Sequence, residues 1–158
     1  MRVAILGCGY VGLELGRQLT ARGHEPIGVR RSHAGIERIE DAGFDAVQAD
    51  VTDREALAAV PDIDAVVFAA SSGGRGADAA REVYVDGLRT AIETFGEREH
   101  VPDRLVYTSS TGVYGDHDGD WVDETTPVEP TTDKTAVLAE AERLALELPT
   151  EYGFEGTV

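Results

Sequence analysis

Lysine is almost missing from this chain. Of 158 residues thirty are acidic and fourteen basic, a formal net charge of −16, and Lys134 is the one lysine among thirteen arginines. A polyphosphate or an anionic membrane surface needs a basic face that such a composition cannot easily supply, so neither nucleic acid nor membrane is an expected partner. Cysteine is just as scarce. Cys8 stands alone, which excludes an internal disulfide and a multi-cysteine metal site and agrees with a reducing compartment. No apolar run reaches the ~18 residues of a membrane span, and the early "VAIL" is too short and wrongly flanked for a signal peptide. A soluble, cytoplasmic protein without a bound metal is expected. The composition is similar to that of halophilic proteins, where high ionic strength screens acidic self-repulsion, and this is the expected reading; an ordinary acidic protein from a GC-rich genome, in which arginine replaces lysine, is the plainer alternative.

What is present is a regular alternation, in a length that suits about one domain. "RVAIL" (2–6) reads as a strand, "GCGYVG" as a glycine turn, and the residues after it as a helix with Val11, Leu15 and Leu19 at helical spacing. "EPIGV" predicts a second strand, "AGIERIEDAG" a short helix closed by Gly43, "FDAVQAD" a third strand, and "REALAAV" a helix ended by Pro61. "IDAVVFAAS" is apolar enough for a parallel strand buried on both faces. A glycine-rich loop, "SGGRG", leads into a long helix over Ala77 to Phe95, then come a fifth strand, "RLVYTSS", and an acidic loop. The last helix, "TDKTAVLAEAERLALEL", is expected to close before Pro149, and "GFEGTV" starts a sixth strand. The pattern predicts an α/β fold: a doubly wound parallel sheet of Rossmann type in three α/β/α layers. One dinucleotide-binding domain is expected over 1–158, with a C-terminal substrate-binding part missing after the sixth strand.

Gly7, Gly9 and Gly12 form G-x-G-x-x-G between a strand and a helix, the context in which this motif binds a dinucleotide. Gly7 permits the tight turn, Gly9 lets the backbone approach a pyrophosphate, and Gly12 lets the helix pack closely on the strand. Backbone N–H groups at the helix start supply positive potential without a basic side chain. A ligand-free strand-to-helix turn would need the same glycines. Tyr10 and Val11 lie in the loop and join the candidate cofactor residues. Cys8, at a helix N-terminus, invites a reactive reading, but a small buried filler is the better expectation.

Arg30, Arg31 and Ser32 follow the second strand. Asp or Glu at its end binds the ribose hydroxyls of NAD, whereas an arginine accommodates the 2′-phosphate of NADP. Arg30 follows Gly12 by 18 residues, near the ~20 expected of the specificity residue. NADP is therefore the expected cofactor, with NAD second. Pairing of these arginines with surface carboxylates such as Glu37 is the competing reading.

Several further stretches, "ADVTD", "VVFAAS", "YVDGLRTAI", "RLVYTSSTGVYGD" and "DETTPVEP", resemble the extended short-chain dehydrogenase/reductase family of the NAD-dependent epimerase/dehydratase type. The resemblance covers the whole chain. It implies that Asp50 and Val51 border the adenine, that Ala69, Ala70 and Ser71 line the ribose and nicotinamide, with Thr108 beside the cofactor, and that Ser110 takes the place of the catalytic serine. Asp50 and Asp53 as helix caps, and Thr108, Ser109 and Ser110 as strand-end partners, are the plainer readings.

The family's hydride chemistry uses a Tyr-x-x-x-Lys pair, in which tyrosine transfers the proton and lysine lowers its pKa. Anchoring on Pro130 and Glu142 puts Lys134 at the tyrosine position and Leu138 at the lysine position, so the pair is missing. Tyr84 stands where the family commonly has asparagine. Lys134 is kept as a candidate base or ribose contact beside its plainer role as a solvated helix residue. Tyr114 is expected to pack under the loop and His117 to lie in the acidic segment.

The resemblance implies an oxidoreductase, epimerase or dehydratase acting on a nucleotide sugar or small carbonyl substrate, an atypical member whose missing pair points to altered or unknown chemistry, and the two arginines make NADP its expected cofactor. A non-catalytic dinucleotide-binding or redox-sensing module is the alternative. Pairing of the two long helices, Ala77 to Phe95 and Thr132 to Leu148, implies a homodimer.

Overall fold

The computed structural model describes residues 1–73 and 76–158. Six strands form one sheet in the order β3-β2-β1-β4-β5-β6, and every pairing is parallel. They are β1 (Arg2–Leu6), β2 (Glu25–Arg30), β3 (Asp45–Gln48), β4 (Ala65–Phe68), β5 (Arg104–Tyr107) and β6 (Glu155–Thr157). Between them run α1 (Tyr10–Ala21), α2 (His33–Asp41), α3 (Arg54–Leu57), α4 (Ala77–Arg81), a π-helical turn (Glu82–Gly87), α5 (Leu88–Gly96), a 3-10 turn (Thr111–Tyr114) and α6 (Asp133–Glu151). This is the doubly wound fold that the alternation predicts. The "SGGRG" loop includes Gly74 and Arg75, which lie outside the described residues.

Strand side chains alternate between the two faces, and the core divides accordingly. Ala4, Leu6, Val66, Phe68, Leu105 and Tyr107 join one cluster with Leu88, Phe95, Val137 and Ala141 of α5 and α6. Val3, Ile5 and Ala65 join the other, with Ile39 of α2 and Leu13, Leu15 and Leu19 of α1 packed against it. Helix α1 also approaches through its buried glycines: a Cβ at Gly12 would come within 2.9 Å of Ile5 Cγ2. Val11 of the same helix is exposed.

Two prolines act differently from one another. The α3 helix stops at Leu57, short of the expected Val60, and the chain ahead of Pro61 tightens into i→i+3 bonds, Ala59 N–H to the Ala56 carbonyl at 3.2 Å and Val60 N–H to the Leu57 carbonyl at 3.1 Å; Pro61 has no N–H to continue the helix, and Arg98 Nη2 also donates to the Leu57 oxygen at 3.1 Å. Pro149 does not end α6, contrary to the sequence expectation. The helix runs on to Glu151 with Pro149 buried inside it. The Ala145 carbonyl that Pro149 cannot serve is covered by the backbone of β6 at Gly156, where no Cβ would fit. The Phe154 N–H then returns to the Pro149 carbonyl at 3.2 Å, so packing of this last turn outweighs one lost bond. The long helix expected over Ala77 to Phe95 is present, interrupted by a π turn that residue periodicity does not reveal.

Strand register places the C-terminal ends together. Leu6 pairs with Val29 and Phe68, Arg30 with Gln48, and Phe68 with Tyr107. The loops after β1, β2, β3, β4 and β5 therefore share one edge, and the winding direction reverses between β1 and β4, where open α/β sheets bind ligands.

Candidate functional site

A cavity of about 610 Å³ opens at this edge, within the 300–1,000 Å³ typical of small-molecule sites. The glycine loop supplies its floor. Gly7 has φ +79, and a Cβ there would fall within 2.8 Å of the Ala69 carbonyl carbon and closer still to Ala70. Only glycine meets both demands. Gly9 stands at the N-cap of α1, with no side chain capping the helix and no acidic residue in its first turn. Tyr10, Val11 and Gly12 of that first turn line the cavity with Gly9. Such a helix start fits a pyrophosphate.

The second wall comes from the end of β2. Arg30, Arg31 and Ser32 all line the cavity. Arg30 is half-buried and lies over two glycines: a Cβ at Gly9 would come 3.0 Å from its Nη1, and one at Gly35 3.0 Å from its Nε. No carboxylate of the described residues pairs with Arg30. Arg31 differs, being exposed and 3.8 Å from Asp50 Oδ2. Glu37, the carboxylate considered for these arginines, faces His33 at 3.5 Å. Ser32 occupies the N-cap of α2, yet its hydroxyl makes no capping hydrogen bond. Among the described residues, one cation without a carboxylate partner and one hydroxyl without a capping bond thus line the cavity.

Asp50 and Val51 after β3, and Ala69, Ala70 and Ser71 after β4, complete the lining together with Val29, Ala49, Gly73 and Val83, which sequence reasoning did not single out. Asp50 closes a turn by accepting the Thr52 N–H at 3.1 Å and its hydroxyl at 2.9 Å. The Thr52 N–H holds the Asp50 carboxyl below the usual carboxylate range against partial burial, with the Thr52 hydroxyl and Arg31 assisting. Asp53 caps α3 by accepting the Ala56 N–H at 3.0 Å.

The residues after β5 are placed apart from this lining. Thr108 Oγ1 donates to the Phe68 carbonyl at 3.2 Å, and Ser110 Oγ accepts the Gly112 N–H at 3.2 Å as the cap of the 3-10 turn. Both satisfy a strand end. Lys134 is half-buried in the first turn of α6, whose start is set by a Thr132–Thr135 capping box. Leu138, one turn on, is 8% exposed. Cys8 is a buried packing residue; burial pushes its thiol up to about 11, and Arg30 offsets this only in part. His117 Nε2 is shielded from solvent without a hydrogen-bond partner among the described residues.

Sequence reasoning marked Tyr84 as a departure and assigned it no role. The structure places it in the π turn, with Oη accepting the Ser72 N–H at 3.4 Å. Burial works to raise its pKa but is outweighed by the Ser72 N–H, the Ser72 and Ser71 hydroxyls and Lys134, which leave the phenol below its ordinary value.

Comparison with known proteins agrees with this geometry. The model of the NAD dependent epimerase/dehydratase family matches residues 3–158. Protein YeeZ of Escherichia coli K12 is 33% identical over 153 residues, covering 94% of this chain and 54% of YeeZ. A 2-alkyl-3-oxoalkanoate reductase of Stenotrophomonas maltophilia is 34% identical over 110 residues, covering 68% of this chain and 32% of the reductase. Among solved structures, a UDP-glucose-4-epimerase from Stenotrophomonas maltophila, with bound NAD and formylated UDP-arabinopyranose, superposes with a TM-score of 0.77 at 25% identity, over 96% of this chain and 49% of the epimerase. The chain spans about half the length of YeeZ and a third of the reductase.

Proposed function

Because the chain belongs to the NAD-dependent epimerase/dehydratase family, we propose that its cavity binds NADP in preference to NAD and serves oxidoreductase chemistry on a nucleotide sugar or a small carbonyl compound. The observation that carries the cofactor choice is Arg30: half-buried, facing the cavity and without a carboxylate partner among the described residues. A guanidinium in that state suits a phosphate dianion, which it can meet with two parallel N–H bonds. The uncapped Ser32 hydroxyl at the start of α2 adds a donor in the same corner. On this reading the glycine loop and the α1 N-terminus hold the pyrophosphate, Asp50 and Val51 border the adenine, and Ala69, Ala70 and Ser71 line the nicotinamide side. Bound there, the dinucleotide would supply or accept hydride.

Both substrate classes have support in the relatives, one of which holds a UDP-sugar while another is named as the reductase of an oxo group. Calorimetric titration with NADP⁺ and NAD⁺ tests the cofactor reading. Tighter binding of NADP⁺ is expected, and equal affinities count against it. Turnover of NADPH with a carbonyl panel by the natural full-length protein separates an enzyme from a non-catalytic binding module.

A further inference from the structure

Around the π turn lies a polar cluster that binding of the dinucleotide does not itself require. A π turn carries one extra residue, and such turns are frequent at functional sites. Here it sits against the cavity. Val83 lines it, Val85 and Gly87 are buried, and a Cβ at Gly87 would come within 2.8 Å of Val51 Cγ2, itself part of the lining. The Tyr84 phenol is tied at 3.4 Å to the N–H of Ser72, next to the cavity residue Ser71, on the β4 side of the site and across β1 from the arginines.

Three elements face that phenol. From α6, which packs on the π turn and is clamped to α4 by the Arg81–Glu140 fork at 2.9 and 2.6 Å, comes Lys134, whose charge adds a smaller pull on the phenol than the Ser72 and Ser71 hydrogen bonds. From β5 comes Tyr107, whose hydroxyl is buried without a well-formed hydrogen bond, as is the Ser109 hydroxyl beyond it. From the end of β4 come Ser71 and Ser72. Tyr107 is a poor proton-transfer group, because burial first, and then Tyr84 and Glu142, push its pKa up.

We propose that Tyr84, held by the π turn against Ser72, between the cavity residues Ser71 and Gly73, and packed beneath the helix that carries Lys134, is the proton-transfer residue of this site, replacing the pair whose places in α6 are taken by Lys134 and Leu138. The proposal rests on the cofactor reading above. In the reducing direction the Tyr84 O–H bond breaks and its proton passes to the oxygen of a substrate carbonyl, whose carbon takes hydride from a reduced nicotinamide. The carbonyl becomes an alcohol, the dinucleotide is oxidised, and the phenolate left on Tyr84 takes a proton from water. The Ser72 N–H and the Lys134 charge both stabilise that phenolate. Lys134 therefore keeps the electrostatic part of a tyrosine–lysine pair, with its tyrosine supplied from another helix.

Tyrosinate absorbance followed against pH tests this on the chain itself. Of five tyrosines, Tyr84 is expected to ionise first. That step should vanish in Tyr84→Phe and move to higher pH in Lys134→Met. Saturating NADP⁺ should move it to lower pH, because the cationic nicotinamide would stand beside the phenolate; a tyrosine with a purely structural role would not respond. Calorimetry on the same proteins should show NADP⁺ affinity rising as pH passes through that step in the unmodified chain and showing no such rise in Tyr84→Phe. A first tyrosinate step that persists in Tyr84→Phe, or that ignores bound NADP⁺, overturns the proposal. Failure of the unmodified chain to bind NADP⁺ overturns the cofactor reading, and calorimetry reports that failure separately from the titration.

Discussion

Replacing Arg30 by alanine should weaken NADP⁺ binding strongly and NAD⁺ binding little. The guanidinium is half-buried over Gly9 and Gly35 and has no carboxylate partner among the described residues to lose on binding a phosphate. Hydrogen bonds to a charged group contribute about 1.5–3 kcal/mol, or about 10- to 150-fold in Kd. Arg31 offers the same charge under worse conditions. Its side chain is 72% exposed and 3.8 Å from Asp50 Oδ2, so its contribution belongs to the surface range of about 0–1 kcal/mol, at most about fivefold. The expected order of loss in NADP⁺ affinity is therefore Arg30→Glu, then Arg30→Ala, then Arg31→Ala. Arg30→Glu should also bring the two cofactors toward equal affinity, since its carboxylate repels a 2′-phosphate and can accept from ribose hydroxyls. Isothermal titration at fixed ionic strength gives all the constants needed, and a second series at higher salt should show the Arg30 effect shrinking only partly, as befits a half-buried group. Equal losses for NADP⁺ and NAD⁺ in Arg30→Ala would refute the reasoning, because they would mean that the guanidinium packs on the adenine and does not meet a 2′-phosphate. A larger loss from Arg31→Ala would refute it too.

Thermal stability should rise between low and molar salt, as the Debye length falls to ~3 Å at 1 M and screens the repulsion within a chain of net charge −16; a falling Tm would mean that surface pairs such as Arg2–Glu25 and Arg104–Glu155 outweigh that repulsion. Gly7→Ala combines a φ of +79 with a clash against the backbone of Ala69 and Ala70, so a destabilisation of about 1–3 kcal/mol or more in urea is expected, together with loss of NADP⁺ binding. Arg81 holds the Glu140 carboxyl below its ordinary value. Its folded pKa being the lower one, Glu140 contributes stability that is complete above the unfolded value and is lost as pH falls through the folded one. The difference in unfolding free energy between the native chain and Glu140→Gln, under about 1 kcal/mol for so exposed a pair, should therefore be present at neutral pH and vanish in acid.

The strand and helix alternation, the glycine motif and the two arginines are local facts, and the sequence by itself determined them. Parallel strands buried on both faces are continuous apolar runs, so β1 and β4 were visible in "VAIL" and "AVVF". Gly7 and Gly12 were legible because a positive φ and a close helix–strand approach each tolerate one residue type. Sequence spacing could also assign Arg30, Asp50 and Ser71 to strand ends and loops that share one edge. It could not tell which arginine is partnered, since the Arg31–Asp50 contact joins two strands adjacent only in the sheet. Nor could it separate Pro61 from Pro149. Both remove an N–H, but one helix end is exposed to capture by Arg98, whereas the other is packed under β6. Tyr84 shows the limit most clearly. Read along the chain it is an odd residue on a long amphipathic helix, and Lys134, fifty residues later, is a lone lysine at a place meant for tyrosine. Only the tertiary structure, by opening that helix into a π turn against Ser72 and clamping α6 beside it, brings the phenol next to the cavity residue Ser71 and packs the helix that carries Lys134 on the same turn. Such a pairing depends on helix register and packing between distant segments, which periodicity within a single segment does not encode.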